Sequence, residues 1–111
     1  MQSVPLRTLG WTLADWQDAY SAGNLSPDYL FELRQQLPAT DPAWITRIST
    51  EQLHARLASL AEQRAAVDGD LSKLPLYGVP FAIKDNIDAS GWPTTAACAE
   101  FAYVAAEDAT V

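Results

Sequence analysis

Positive charge is scarce in this chain. Two lysines and five arginines stand against fourteen acidic residues in 111, a net charge of −7. Binding phosphates needs clustered Lys and Arg that release counterions, so the charge balance argues against a nucleic-acid partner. Cysteine is scarcer still, and Cys98, having no second thiol to pair with, excludes an internal disulfide and suits a reducing cytoplasm. As a nucleophile it would need a nearby histidine or helix N-terminus. Neither is evident, and it reads as a small buried filler. The one histidine, His54, lies in a helical pattern whose i+4 position is Ala58 rather than a second ligand, so no metal is expected and an exposed histidine is the default. No run approaches the ~18 apolar residues that would span a bilayer. Met1–Arg7 lacks the apolar core and cleavage site of a secretory signal. The expected protein binds no membrane, is not exported and works in the cytoplasm.

What is present is globular: 49% hydrophobic residues and 19% charged ones need apolar surface to be hidden. A chain of this length is about one small domain. Thr12 and Asp15 form a near-match to a capping box, and Leu13, Trp16, Gln17 and Tyr20 follow at helical spacing up to a stop at Gly23-Asn24. Ser26-Pro27 opens a second helix, with an apolar stripe of Tyr29, Leu30, Leu33 and Leu37 ended by Pro38. Pro38 to Trp44 reads as a connection. Ser49 and Gln52 then make a capping box for a longer helix carrying Leu53, Leu57, Leu60, Arg64 and Val67, broken at Asp68-Gly69-Asp70. The opposite face is charged without i,i+4 ion pairs, so packing must stabilise that helix.

After residue 70 the pattern changes. Tyr77, Val79, Phe81 and Ile83 alternate onto one face of a strand expected over 76–84, with Pro80, Ala82 and Lys84 on the other. Gly78 and Pro80 read as strand-edge punctuation, and Gly91, Pro93 and Thr94-Thr95 as a turn and strand start. Two readings compete for Lys84. It is a surface lysine just past a strand end, or an amine desolvated enough to serve as a base, with Asp85 pointing to the other face and free not to pair with it.

The block Pro75-Leu-Tyr-Gly-Val-Pro-Phe-Ala-Ile-Lys84-Asp-Asn-Ile-Asp88, followed by Gly91-Trp-Pro-Thr-Thr-Ala-Ala-Cys98, resembles the lysine-bearing segment of the amidase signature family. The flanks at 12–16, 41–45 and 96–111 resemble its allophanate-hydrolysing branch. The resemblance implies an α/β fold: an amino-terminal helical segment, 1–70, then the first strands of an amidase-signature mixed-sheet core, 71–111, incomplete in this chain. It implies that Lys84 is the lysine of a Ser-Ser-Lys triad acting on a small-molecule amide. No cofactor or metal is called for. The family's two serines lie in a Gly/Ser-rich segment downstream of the lysine, which does not occur before Val111. Of the triad only Lys84 is therefore expected here, and this piece alone is expected to be inactive. Ser90, within Ala89-Ser-Gly-Trp-Pro93, reads as a turn residue, not a nucleophile. Other amidases, such as the A subunit of an aminoacyl-tRNA amidotransferase, and a non-catalytic helical interaction fragment are the alternatives. Homodimers are common in the family, which leaves that state open for a complete protein.

Overall fold

A computed structural model describes residues 7–37 and 41–111; the helix stop expected at Pro38 lies outside them. The chain divides into two compact units, residues 1–38 with 48–80, and residues 39–47 with 81–111.

The first unit is built by local signals that the helix ends satisfy. In α1 (Leu13–Ser21) the Thr12 hydroxyl accepts from the Asp15 N–H and the Asp15 carboxylate accepts from the Thr12 N–H, so both halves of the capping box are made. Its far end closes in a Schellman motif. Gly23 takes φ +74°, the Asn24 N–H reaches the Ala19 carbonyl, and the Gly23 N–H reaches that of Tyr20. The next helix, α2 (Tyr29–Gln36), is preceded by a tight turn. The N–H groups of Tyr29, Leu30 and Phe31 bond three residues back, beginning at the Ser26 carbonyl, so Ser26-Pro27 opens this turn and the helix expected to start there begins at Tyr29, with Asp28 as its N-cap. The third, α3 (Thr50–Ala66), has a complete capping box between Ser49 and Gln52. It ends in a second Schellman motif with Asp68 at φ 53° in the left-handed position. A 3₁₀ turn, Leu71–Lys73, follows.

The core of this unit is aromatic. Trp16, Tyr20, Leu25, Tyr29 and Tyr77 are buried together, with Trp11, Leu33, Leu60, Leu74 and Val79 packed around them. Trp11 meets Trp16, and Tyr20 meets Tyr77, edge to face at 5.2 and 5.3 Å. Each such pair contributes about 0.5–1.5 kcal/mol beyond its buried area. Buried hydroxyls need partners: Tyr29 shares a 3.0 Å bond with Thr8, and Tyr20 donates to the Gly78 carbonyl at 2.6 Å. Burial pushes the Tyr20 phenol far above its usual range, with Tyr77 and Tyr29 adding to the effect.

The strand expected over 76–84 is not formed. Leu74 to Val79 is a pair of turns instead, closed by Tyr77 N–H to the Leu74 carbonyl and Val79 N–H to that of Leu76, with Gly78 at φ +65°. Alternation holds for Tyr77 and Val79, which reach the core, and lapses beyond them: Phe81 is 83% exposed and Ile83 is exposed too. A strand is made by its ladder. The strands among the described residues come later in the chain.

They lie in the second unit. Strands β1 (Pro93–Thr94) and β2 (Tyr103–Val104) pair antiparallel, Pro93 with Val104 and Thr94 with Tyr103. The pairing extends through Gly91 N–H to the Ala105 carbonyl and Ala105 N–H to that of Trp92. Thr94 and Ala105 are buried there. Asp41 opens a turn through Pro42 and Ala43 to Trp44, as the expected connection requires. Cys98, expected as a buried filler, is exposed; it sits at the C-terminal end of a Thr95–Cys98 turn whose loop carries the thiol outward. No helix among the described residues is long and apolar enough to cross a membrane.

Candidate active-site segment

Lys84 belongs to the second unit, where it is exposed. It opens a turn: the Ile87 N–H donates to its carbonyl at 3.0 Å, which makes Asp85 and Asn86 the two central residues.

The carboxylates that follow brace this turn. Asp85 Oδ2 accepts the N–H groups of Thr95 and Ala97 at 3.2 Å each, and the Thr95 hydroxyl donates to the same oxygen. Convergent N–H groups form a concave anion seat, here filled by the protein's own carboxylate. Ala96 and Ala97 both hold left-handed φ, 50° and 59°. For residues with a Cβ this costs about 1–2 kcal/mol apiece, which the bonds to Asp85 help to offset. The Thr95 hydroxyl, helped by the backbone of 95–97 and opposed by desolvation, holds the Asp85 carboxyl below its usual range.

Asp88 is the second brace. Its Oδ1 accepts from the Tyr103 hydroxyl at 2.5 Å and from the Thr94 hydroxyl at 2.8 Å, and its backbone carbonyl takes the Ala109 N–H. Tyr103 first, then Thr94, hold this carboxyl low, while the Asp88 bond raises the Tyr103 phenol. The two directions agree on one hydrogen bond that favours carboxylate and neutral phenol together. Ser90 is fastened in turn, its N–H to Asp108 Oδ1 at 2.7 Å and its hydroxyl to the Ala106 carbonyl at 3.3 Å. The turn reading of Ser90 fits this placement.

The family resemblance of the motif pointed to Lys84 and not to the residues that brace its turn. Asp85, Asp88, Thr94, Thr95 and Tyr103 form the bracing network. The signal available was two carboxylates followed, across the Gly91-Trp92-Pro93 turn, by paired threonine hydroxyls. In the first unit the same motif is gripped at Gly78. A Cβ there would lie 2.6 Å from the Tyr20 ring and hydroxyl, so that position requires glycine for space as well as for its φ.

Among the described residues, no three His, Cys, Asp or Glu side chains are grouped to hold a metal. The exposed His54 ring lies 4.5 Å from that of Phe31.

The family model described as Amidase matches residues 34–111, more than half of the chain. The chain belongs to the amidase signature family. This amidase-family chain is 43% identical to the urea amidolyase of Lachancea kluyveri over 112 aligned positions, covering 94% of its own length and 6% of that protein. It is 39% identical to the A subunit of the glutamyl-tRNA(Gln) amidotransferase of Akkermansia muciniphila, over 89% of its length and 20% of that protein. Among solved structures, the allophanate hydrolase of Kluyveromyces lactis superposes with a TM-score of 0.74 at 38% identity, covering 91% of the chain and 16% of its own. The chain thus spans a fifth or less of the length of each of these proteins.

Proposed function

We propose that this chain is the amino-terminal part of an amidase that hydrolyses allophanate, with Lys84 as the base of a Ser-Ser-Lys triad. The observation that carries the reading is the likeness to urea amidolyase over nearly the whole chain, joined to the Gly78-to-Asp88 block that bears the lysine. On this reading residues 1–70 are a helical leader to the core, and 71–111 begin a mixed-sheet catalytic domain completed by further polypeptide.

A hydroxyl is a weak nucleophile and needs an adjacent base. In the proposed mechanism a neutral Lys84 takes a proton from a bridging serine, which takes one from the nucleophilic serine as that oxygen attacks the amide carbonyl. Backbone N–H groups steady the oxyanion, and ammonia leaves as the protons return. Water then releases the acyl group. The two serines and the groups that read the substrate carboxylate are assigned to polypeptide other than these residues. A lysine is a base only where it is dry. Since Lys84 is exposed among the present residues, its cover is assigned to the same polypeptide.

Turnover of allophanate by the complete protein tests the substrate. A clear preference for allophanate over simple amides is expected. Equal or better turnover of simple amides would overturn that assignment in favour of another branch, such as the amidotransferase A subunits that this chain also resembles. Lys84→Ala in the complete protein tests the base. A fall in kcat of several orders of magnitude with an unchanged melting temperature is expected, and near wild-type turnover would reject Lys84.

A further inference from the structure

The triad chemistry makes no use of Asp85, although it is the residue after Lys84 and three donors converge on one of its oxygens. A lysine side chain is a flexible four-carbon stem, so what a protein can fix most firmly is the backbone from which the stem departs. That backbone opens a turn, closed by the Ile87 N–H on the Lys84 carbonyl. Asp85, the second residue of the turn, is fastened to Thr95 and Ala97, and Asp88, just beyond it, to Thr94 and Tyr103. Without the Asp85 attachment, the turn would be held only by its own closing bond and by Asp88. Of these, the closing bond ties Lys84 only to its own turn, and Asp88 lies on the far side of Asp85 from the lysine.

We infer that Asp85 is a positioning residue for Lys84: by tying the turn to the Thr95–Ala97 loop it fixes the direction in which the lysine leaves the backbone. This rests on Lys84 being the base. The anchoring needs an acceptor oxygen at this position, which an asparagine keeps in uncharged form and an alanine lacks.

The test is amide turnover by the complete protein carrying Asp85→Ala, Asp85→Asn, Thr95→Val, Asp85→Ala with Thr95→Val, and, in parallel, Lys84→Ala, with a melting temperature for each. Misplacing a catalytic group by about 1 Å costs on the order of 100-fold. Asp85→Ala is expected to lower kcat by about that factor while KM stays near wild type, the pattern of an interaction used only in the transition state. Asp85→Asn should recover most of the loss. Thr95→Val should lower kcat in part, and the double variant should be no worse than Asp85→Ala, because both remove one interaction. Wild-type kcat in Asp85→Ala, equal impairment of the asparagine and alanine variants, or losses that multiply in the double variant would each overturn the inference. An inactive Lys84→Ala beside an active Asp85→Ala removes this inference and leaves the base in place. An active Lys84→Ala removes both. If Asp85→Ala fails to fold, Asp85→Asn and Thr95→Val decide: turnover near wild type in the first with a kcat loss at steady KM in the second supports the anchor, and the reverse pattern refutes it.

Discussion

Replacing Gly78 by alanine tests how the helical unit grips the amidase motif. Two separate costs meet at this residue. Its φ of +65° lies in the left-handed region, where a Cβ costs about 1–2 kcal/mol. The new methyl would also stand 2.6 Å from the Tyr20 ring and hydroxyl and 2.8 Å from a neighbouring ring carbon, well inside contact distance. Tyr20 is 3% exposed and wedged against Tyr77 and Trp16, so it cannot swing aside without disturbing the core. Overpacking of this kind costs about 1–3 kcal/mol, and a displaced phenol also loses its bond to the Gly78 carbonyl, worth about 1 kcal/mol. The sum is about 3–6 kcal/mol, a large share of the roughly 5–15 kcal/mol by which domains are stable. The chain supplies its own control. Gly23 has a similar φ of +74° with nothing within 4 Å of where a methyl would stand, so Gly23→Ala should cost only the backbone share, about 1–2 kcal/mol. Urea unfolding of both variants, followed by the fluorescence of Trp11 and Trp16, measures the difference. If Gly78→Ala loses no more stability than Gly23→Ala, the steric argument is wrong.

Two further outcomes follow from the geometry. Asp68 holds a left-handed φ at the end of α3, so Asp68→Gly should raise stability by about 0.5–1 kcal/mol in the same urea assay, and a loss would show that the carboxylate has a role beyond its backbone. Asp85 and Asp88 have lowered folded-state pKa values, so their contribution is complete above the unfolded carboxylate value near ~3.9 and is lost as pH falls through the lowered ones. The Tyr103 phenol is raised, so the same Asp88–Tyr103 bond holds below about pH 10 and is lost as pH climbs through the raised value. Tyr103→Phe removes the main cause of the Asp88 shift, so it should lower the urea midpoint at neutrality, where that contribution is complete, and leave it nearly unchanged at the acid end, which flattens the acid limb of a urea-midpoint-against-pH curve; superimposable acid limbs would refute the assignment.

The helices were legible in the sequence because their signals are local. A capping box needs residues three apart, Thr12 with Asp15 or Ser49 with Gln52, and both its bonds are satisfied within that span. The stops at Gly23 and Gly69 are equally short-range. The apolar run at 76–84 misled for the complementary reason: alternation is visible in one segment, whereas a strand depends on a second one, and Gly78 needs a φ that no strand offers. Lys84 stood out through its motif. Its supports did not, since Asp85 and Asp88 find their hydroxyl partners six to fifteen residues away, on the other side of a turn whose path the sequence leaves open. The exposure of Cys98 was hidden likewise, because residue type favours burial and only the loop geometry turns the thiol outward.

The bond from Tyr20 to Gly78 joins positions 58 residues apart, and this matters to anyone recombining amidases. A splice placed between α1 and the 3₁₀ turn would inherit the phenol from one parent and its glycine from the other. Such hybrids should tolerate the junction only when the two parents agree at both ends of that clasp, so the leading helix and the lysine block are best exchanged as a single cassette.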